Sequence, residues 1–152
     1  MAKKFRWRLD PVKKVKEREE ERNQEALAEA NRALRSEEDK VADLVRQRGD
    51  AVKALQGSQQ GALNPTDLAM RDAYVKTLGE RIRVQTEAVE AARKLAEERQ
   101  EALMKAVQER KVFDNLKDRD HQRHKKEQRR REQAATDETA NRQSHGNRNP
   151  EE

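Results

Sequence analysis

The sequence contains no cysteine, few aromatic residues, and only five glycines and three prolines. The absence of cysteine excludes a disulfide framework and a thiolate metal site. Hydrophobic residues make up 32% of the chain, well below the roughly 45–50% of an ordinary globular domain. No run approaches the roughly 20 apolar residues of a membrane span, and no apolar stretch follows the basic N-terminus. We therefore expect a cytoplasmic protein without a transmembrane segment.

Charged residues, in contrast, are abundant and make up 43% of the chain. Ala, Glu, Lys, Leu and Arg together account for more than half of all residues. This composition is typical of a disordered chain or of a long coiled coil. The spacing of the apolar residues decides between these two classes.

The second half of the sequence has a clear heptad pattern. One series of apolar residues recurs at every seventh position, and a second series is interrupted by Arg71, Gln85 and Arg99. These two series correspond to the a and d positions of a coiled coil. The first series is Leu68, Val75, Ile82, Val89, Ala96 and Leu103, and the second is Leu78, Ala92, Ala106 and Phe113.

The first half repeats this pattern less regularly, with interruptions at Glu37 and Arg48. Residues 16–25 contain no apolar side chain, so contacts there must come from the stems of long polar side chains. Phe5, Leu9 and Val12 restart the pattern in a shifted phase. The regular positions are Leu27, Ala30, Leu34, Val41, Leu44, Ala51 and Leu55.

The strongest break lies at residues 57–64, which contain two glycines and end in Asn64 before Pro65. An Asn N-cap followed by Pro at the first helical position is a common start of a helix. The sequence thus predicts an all-α fold, a long antiparallel two-helix coiled coil whose second helix is the longer. We expect an N-terminal segment at 1–9, helix 1 at 10–56, the hairpin loop at 57–64, helix 2 at 65–140 and a disordered tail at 141–152.

A turn near residue 60 also predicts which side chains meet. In this register apolar residues face one another along the whole hairpin, which favours an intramolecular pair over a parallel dimer. The expected pairs are Leu44 with Leu78, Leu34 with Val89, Leu27 with Leu95, Leu9 with Phe113, and Phe5 with Leu116.

Beyond Leu116 the second helix is expected to have no partner, which leaves a basic overhang at 117–140. Residues 117–131 carry eight Lys or Arg and three Asp or Glu. The run contains no aromatic residue for stacking on bases and no apolar face for a membrane. Among functional readings, a protein partner is therefore favoured over nucleic acid, although a merely solvated helical face is also consistent with the pattern.

No enzyme motif is present, and a two-helix coiled coil offers no concave interior for catalysis. We therefore expect no enzymatic activity, no cofactor and no metal. His121 and His124 are three residues apart and could share a metal ion, but their surroundings are strongly cationic. We expect them to be solvated.

Three segments resemble the flagellar type III export protein family FliJ. The chain opens with Phe5-Arg6-Trp7-Arg8-Leu9, and Tyr74-Val75-Lys76-Thr77-Leu78-Gly79-Glu80-Arg81-Ile82 is similar to the family's aromatic-x3-Leu-x3-Ile block. Glu132-Gln133-Ala134-Ala135-Thr136-Asp137-Glu138-Thr139-Ala140 is similar to its C-terminal signature. Length, loop position and hairpin layout agree over nearly the whole chain.

The resemblance implies a non-enzymatic stalk, associated peripherally with the membrane-embedded export apparatus. Such a stalk inserts into the hexameric export ATPase FliI, promotes its assembly and activity, contacts the export gate protein FlhA, and can escort export chaperones. An alternative is the corresponding stalk of a virulence injectisome. A less favoured alternative is a basic coiled coil that binds nucleic acid.

The candidate ATPase-binding residues lie on the basic extension and in the C-terminal signature: Lys117, Arg119, Arg123, Lys125, Lys126, Arg129, Arg130, Arg131, Gln133, Asp137 and Glu138. The resemblance also implies a gate-binding face. It comprises Lys40, Leu44, Gln47, Ala51, Tyr74, Leu78, Arg81 and Gln85.

Overall fold

The structure, a computed structural model, describes residues 4–147. Two α-helices, α1 at Asp10–Ser58 and α2 at Pro65–Gly146, account for most of this range. They pack against each other as a helical hairpin whose second helix is the longer, which confirms the predicted fold class. The predicted segments at residues 1–3 and 148–152 lie outside the described residues.

The start of α2 follows from the side chain of Asn64. Its Oδ1 accepts hydrogen bonds from the backbone N–H groups of Thr66 and Asp67 at 3.1 and 3.4 Å. Two of the amides that lack a partner at a helix N-terminus are thereby satisfied. Pro65 needs no such partner, because its nitrogen carries no hydrogen.

Both helices extend further than the sequence indicates. α1 ends at Ser58, whose hydroxyl donates to the carbonyl of Leu55 at 2.8 Å, and the loop is residues 59–64. α2 continues to Gly146, into the stretch expected to be a disordered tail. Side chains four residues apart support its last turns, since Gln133 donates to Asp137 at 3.1 Å and Arg142 pairs with Glu138 at 2.7 Å.

The chain divides into two compact units. The loop unit comprises residues 20–105, and the described part of the terminal unit comprises residues 4–19 and 106–147. In the loop unit the heptad positions form the seam between α1 and α2. Leu78 is completely buried, Ala30, Val89 and Ala96 are less than 10% exposed, and the remaining heptad positions are half-buried.

Leu95, which was expected to face Leu27, lies at the edge of the seam: it is 42% exposed, whereas the neighbouring Ala96 is 7% exposed. Leu95 flanks the heptad position, and α2 turns Ala96 into the seam in its place.

Two polar interruptions of the seam, Glu37 and Gln85, bond to each other across the hairpin. The side-chain amide of Gln85 donates to a carboxylate oxygen of Glu37, and also to the Glu37 backbone carbonyl at 3.3 Å. The hydrogen bond from Gln85 lowers the pKa of Glu37 below its ordinary value. A polar pair within an apolar seam favours one register over its neighbours, because sliding the helices would separate the two groups.

In the terminal unit, ion pairs between α1 and α2 accompany a smaller set of apolar contacts around Trp7 and Ala106. Lys117 pairs with Asp10 at 3.2 Å, Lys13 with Asp114 at 3.2 Å, and Lys16 with Glu109 at 3.1 Å. We call these three pairs the ion ladder. Val12 and Val15, in contrast, are 39% and 48% exposed, so the expectation that Val12 restarts an apolar seam is wrong.

The ion pairs of the ladder shift the pKa values of the side chains that form them. The hydrogen bond from Lys117 lowers the pKa of Asp10, and the hydrogen bond to Glu109 raises the pKa of Lys16. Burial alone would raise the pKa of Asp114, but Lys13 and Arg110 together bring it below its usual value. Both aspartates therefore remain charged throughout the neutral range and into mild acid.

Replacing Leu78 by Asp should destabilise the protein by about 3 kcal/mol or more, since losing a buried Leu costs roughly 2–5 kcal/mol and the new charge adds to that cost. Leu44→Asp, at a half-buried seam position, should cost less. Leu95→Asp is the matched control, because Leu95 is exposed. Thermal melts followed by circular dichroism test this order. Equal melting temperatures for Leu78→Asp and Leu95→Asp would contradict the assignment of the core.

Candidate partner-binding surfaces

Before α1, residues 5–9 run along α2, and we call them the N-terminal clasp. Trp7 is its anchor, since it is only 8% exposed. Its indole N–H donates to Asp120 at 2.8 Å, and its ring meets Phe113 edge-on with centroids 6.5 Å apart. A buried indole needs such a partner for its N–H. The clasp thus ties the start of the chain to α2.

Phe5, the other aromatic residue of the clasp, lies against two histidines. Its ring centroid is 4.9 Å from that of His121 and 5.3 Å from that of His124. Both histidines are half-buried, so the expectation of solvated histidines is wrong. The Nδ1 atom of His121 is buried without a hydrogen-bond partner.

The clasp also changes the expected pairing at this end. Phe5 was expected to face Leu116 and Leu9 to face Phe113, but Phe5 contacts His121 and His124 instead. Residues 4–7 are not helical. A non-helical chain advances up to about 3.3 Å per residue and a helix only about 1.5 Å. The same number of residues therefore reaches further along α2 than a helical register allows.

The basic overhang is consequently shorter than expected. The clasp and the start of α1 contact Lys117, Asp120, His121 and His124, all beyond Leu116. Residues 129–147 are exposed at every position. We call this stretch the free extension.

On α2 a row of four cations lies roughly opposite the clasp, because each residue advances the helix by about 100°. These cations line one shallow groove together with Gln122 and Glu127. Within residues 4–147 none of the four forms an ion pair. We call them the basic stripe: Arg119, Arg123, Lys126 and Arg130.

The other ATPase-binding candidates occupy different environments. Lys117 is held by Asp10 in the ion ladder and is less accessible to a partner. The remaining six candidates are exposed; Gln133 and Asp137 bond to each other, and Glu138 pairs with Arg142. These six are Lys125, Arg129, Arg131, Gln133, Asp137 and Glu138.

The gate-binding candidates divide into accessible and inaccessible side chains. Leu78 is fully buried, and the Gln85 amide is engaged with Glu37. Leu44 and Ala51 are half-buried seam positions. The exposed members are Lys40, Gln47, Tyr74 and Arg81, of which Tyr74 is 50% exposed.

The described residues suggest no other kind of site. Within residues 4–147 no group of three or more metal-binding side chains comes together. Over the same range neither helix contains a stretch long and apolar enough to cross a membrane.

Comparison with known proteins assigns the chain to a family. The family described as "Flagellar FliJ protein" matches residues 5–149. The chain belongs to the FliJ family. A comparison with curated protein sequences returned no match. Among solved structures, a YscO homologue of Chlamydia trachomatis, CT670, has the same fold with a TM-score of 0.69 and 22% identity, covering 96% of this chain and 100% of that chain.

The FliJ match begins at residue 5, so it includes the clasp, and it continues through the free extension. Sequence reasoning identified the extension from its charge but missed the partners of the clasp. The sequence feature that could have indicated the clasp is the pair Phe5 and Trp7. They are two of the four Phe, Tyr and Trp residues in the chain, and they alternate with the basic residues of the segment 4–8.

Truncation after Gln128 should leave the clasp closed, because residues 129–147 contribute no buried side chain. Truncation after Leu116 should open it, because Asp120, His121 and His124 are lost. Trp7 is the only tryptophan, so its fluorescence reports on the clasp directly. Identical emission spectra and acrylamide quenching for the two truncated proteins would contradict the assignment.

Proposed function

We propose that this FliJ-family chain is a non-enzymatic stalk of the flagellar type III export apparatus. In this role its C-terminal extension enters the ring of the hexameric export ATPase FliI and promotes ring assembly and activity. The observation that carries the proposal is the free extension, a single helix exposed on all sides in a member of this family. An α-helix with its side chains is about 10–12 Å across, which suits a narrow central pore.

The basic stripe is the favoured point of contact with the ring. Among residues 4–147 its four cations have no carboxylate partner, so acidic side chains of a partner can pair with them without first breaking an ion pair in this part of the chain. Lys117 is a weaker candidate because it would have to leave Asp10.

Neutralising the stripe by changing Arg119, Arg123, Lys126 and Arg130 to Gln should weaken binding to the ATPase at least roughly fourfold, taking about 0.2–1 kcal/mol for each exposed charge pair. The loss should shrink as salt is raised. Hexamer formation and ATP turnover are measured against protein concentration.

The matched control removes the same charge elsewhere on α2, at exposed cations that form no ion pair among the described residues: Lys94, Arg99, Lys105 and Lys111. An equal loss of ATPase binding in both variants would show that the net charge of α2, and not the position of the stripe, determines binding. Unchanged ATPase stimulation by the stripe variant would rule out the stripe as the contact.

The exposed gate-binding candidates support a second contact of the same stalk, with the export gate protein FlhA. Tyr74 is the largest of them and is accessible. Because Leu78 is buried, we propose that it supports this face from below and that the gate touches Tyr74 and Arg81.

Tyr74→Ala should reduce capture of the gate's cytoplasmic domain and leave stability within about 0.5 kcal/mol. Val84→Ala is the control, since Val84 is 51% exposed on the same helix and lies outside the proposed face. Gate capture that is equal in Tyr74→Ala and the unmodified protein would remove Tyr74 from the contact.

The corresponding stalk of a virulence injectisome is the second candidate, because the YscO homologue shares the fold. The same purified chain can be mixed with a flagellar or an injectisome export ATPase. Stimulation of the injectisome enzyme alone would favour this alternative.

A further inference from the structure

The contact between the N-terminal clasp and α2 includes a feature that the proposed stalk function does not use. His121 Nδ1 is buried and has no hydrogen-bond partner. Within residues 4–147 it is the one buried side-chain nitrogen or oxygen in that position. A neutral imidazole can accommodate this state, because one of its two ring nitrogens carries no hydrogen.

Protonation changes what this nitrogen requires. In the imidazolium both nitrogens carry hydrogen, so Nδ1 would become a buried donor with no acceptor. A buried, charged donor without an acceptor raises the free energy of the closed clasp. The Phe5 ring, whose centroid lies 4.9 Å from that of His121, carries no nitrogen or oxygen and therefore offers Nδ1 no ordinary hydrogen-bond acceptor.

Along the elements that meet at His121, cations are more numerous than carboxylates. The N-terminal segment contributes three cations before α1 begins, and Lys117 and Lys125 lie one helical turn before and after His121. Phe5 also contacts His124, with ring centroids 5.3 Å apart. The three cations are Lys4, Arg6 and Arg8.

The carboxylates of these elements are already engaged or exposed. Asp120 accepts the Trp7 indole, and Asp10 pairs with Lys117. Asp118 lies one turn before His121 but is exposed. None of these three carboxylates forms a hydrogen bond with His121 Nδ1.

We propose that the N-terminal clasp is a pH-sensitive cover of α2, closed when His121 is neutral and released when His121 is protonated. Release frees Phe5 and Trp7 and uncovers Phe113 where Trp7 contacts it. Histidine is the side chain whose charge ordinarily changes between about pH 5 and 8. The ion ladder does not open in that range, because the lowered pKa values of Asp10 and Asp114 keep both carboxylates charged.

Trp7 fluorescence in the full chain tests the proposal. Between about pH 8 and pH 5, the emission maximum should move to longer wavelength and acrylamide quenching should rise several-fold, while far-UV circular dichroism stays helical. An unchanged Trp7 signal across this range would overturn the proposal.

Two variants assign the transition to His121. His121→Phe keeps a ring against Phe5 but cannot be protonated, and His121→Gln is a second non-titrating replacement. Both should keep Trp7 buried across the whole range. His124→Gln, the matched control, should retain the transition.

Persistence of the transition in both His121 variants would contradict the proposal. Exposure of Trp7 in both variants at about pH 8 would contradict it as well, because the structure assigns no hydrogen bond to His121 Nδ1 in the closed clasp. These measurements need no ATPase, so they remain informative even where the proposed stalk function fails.

Discussion

A pair of helices can bury only one narrow stripe of each, and this constraint governs the rest of the structure. In the loop unit the stripe is filled by heptad residues around Leu78, which is fully buried. Two polar side chains that fall on the stripe, Glu37 and Gln85, pair with each other across it. Where apolar residues run out, Lys16 pairs with Glu109 instead. Such exposed ion pairs are individually weak. They therefore add little to the stability of the hairpin, and mainly hold the two helices side by side.

The same constraint explains why the functional candidates are faces and not pockets. Only one side of each helix is occupied, so most side chains remain available to partners. A residue's position around the helix therefore decides its role, as Tyr74 and Leu78 show. They are four residues apart in the same sequence block, yet one is half exposed and the other is fully buried.

Periodicity was sufficient to predict the two helices and most of their buried positions, because both depend on local spacing. The cap at Asn64 could be predicted for the same reason. The clasp could not, since residues 4–7 leave the helical register and periodicity no longer says which residue they face. The position of Trp7 depends on a hydrogen bond to Asp120, 113 residues away in sequence. The end of α2 was also placed too early, since Gly146 lies beyond a polar stretch without a heptad to mark it.

The clasp limits how a ring-shaped partner can engage α2. A ring that encloses the helix must reach all of its faces, and only the free extension from residue 129 onward offers this. Closer to residue 117, the clasp and α1 occupy one face, while Arg119 and Arg123 stay accessible on the roughly opposite face. A partner contacting that stretch can approach from one side without displacing the clasp. Under the proposed stalk function, a ring could enclose α2 closer to residue 117 only by removing Trp7 from its site.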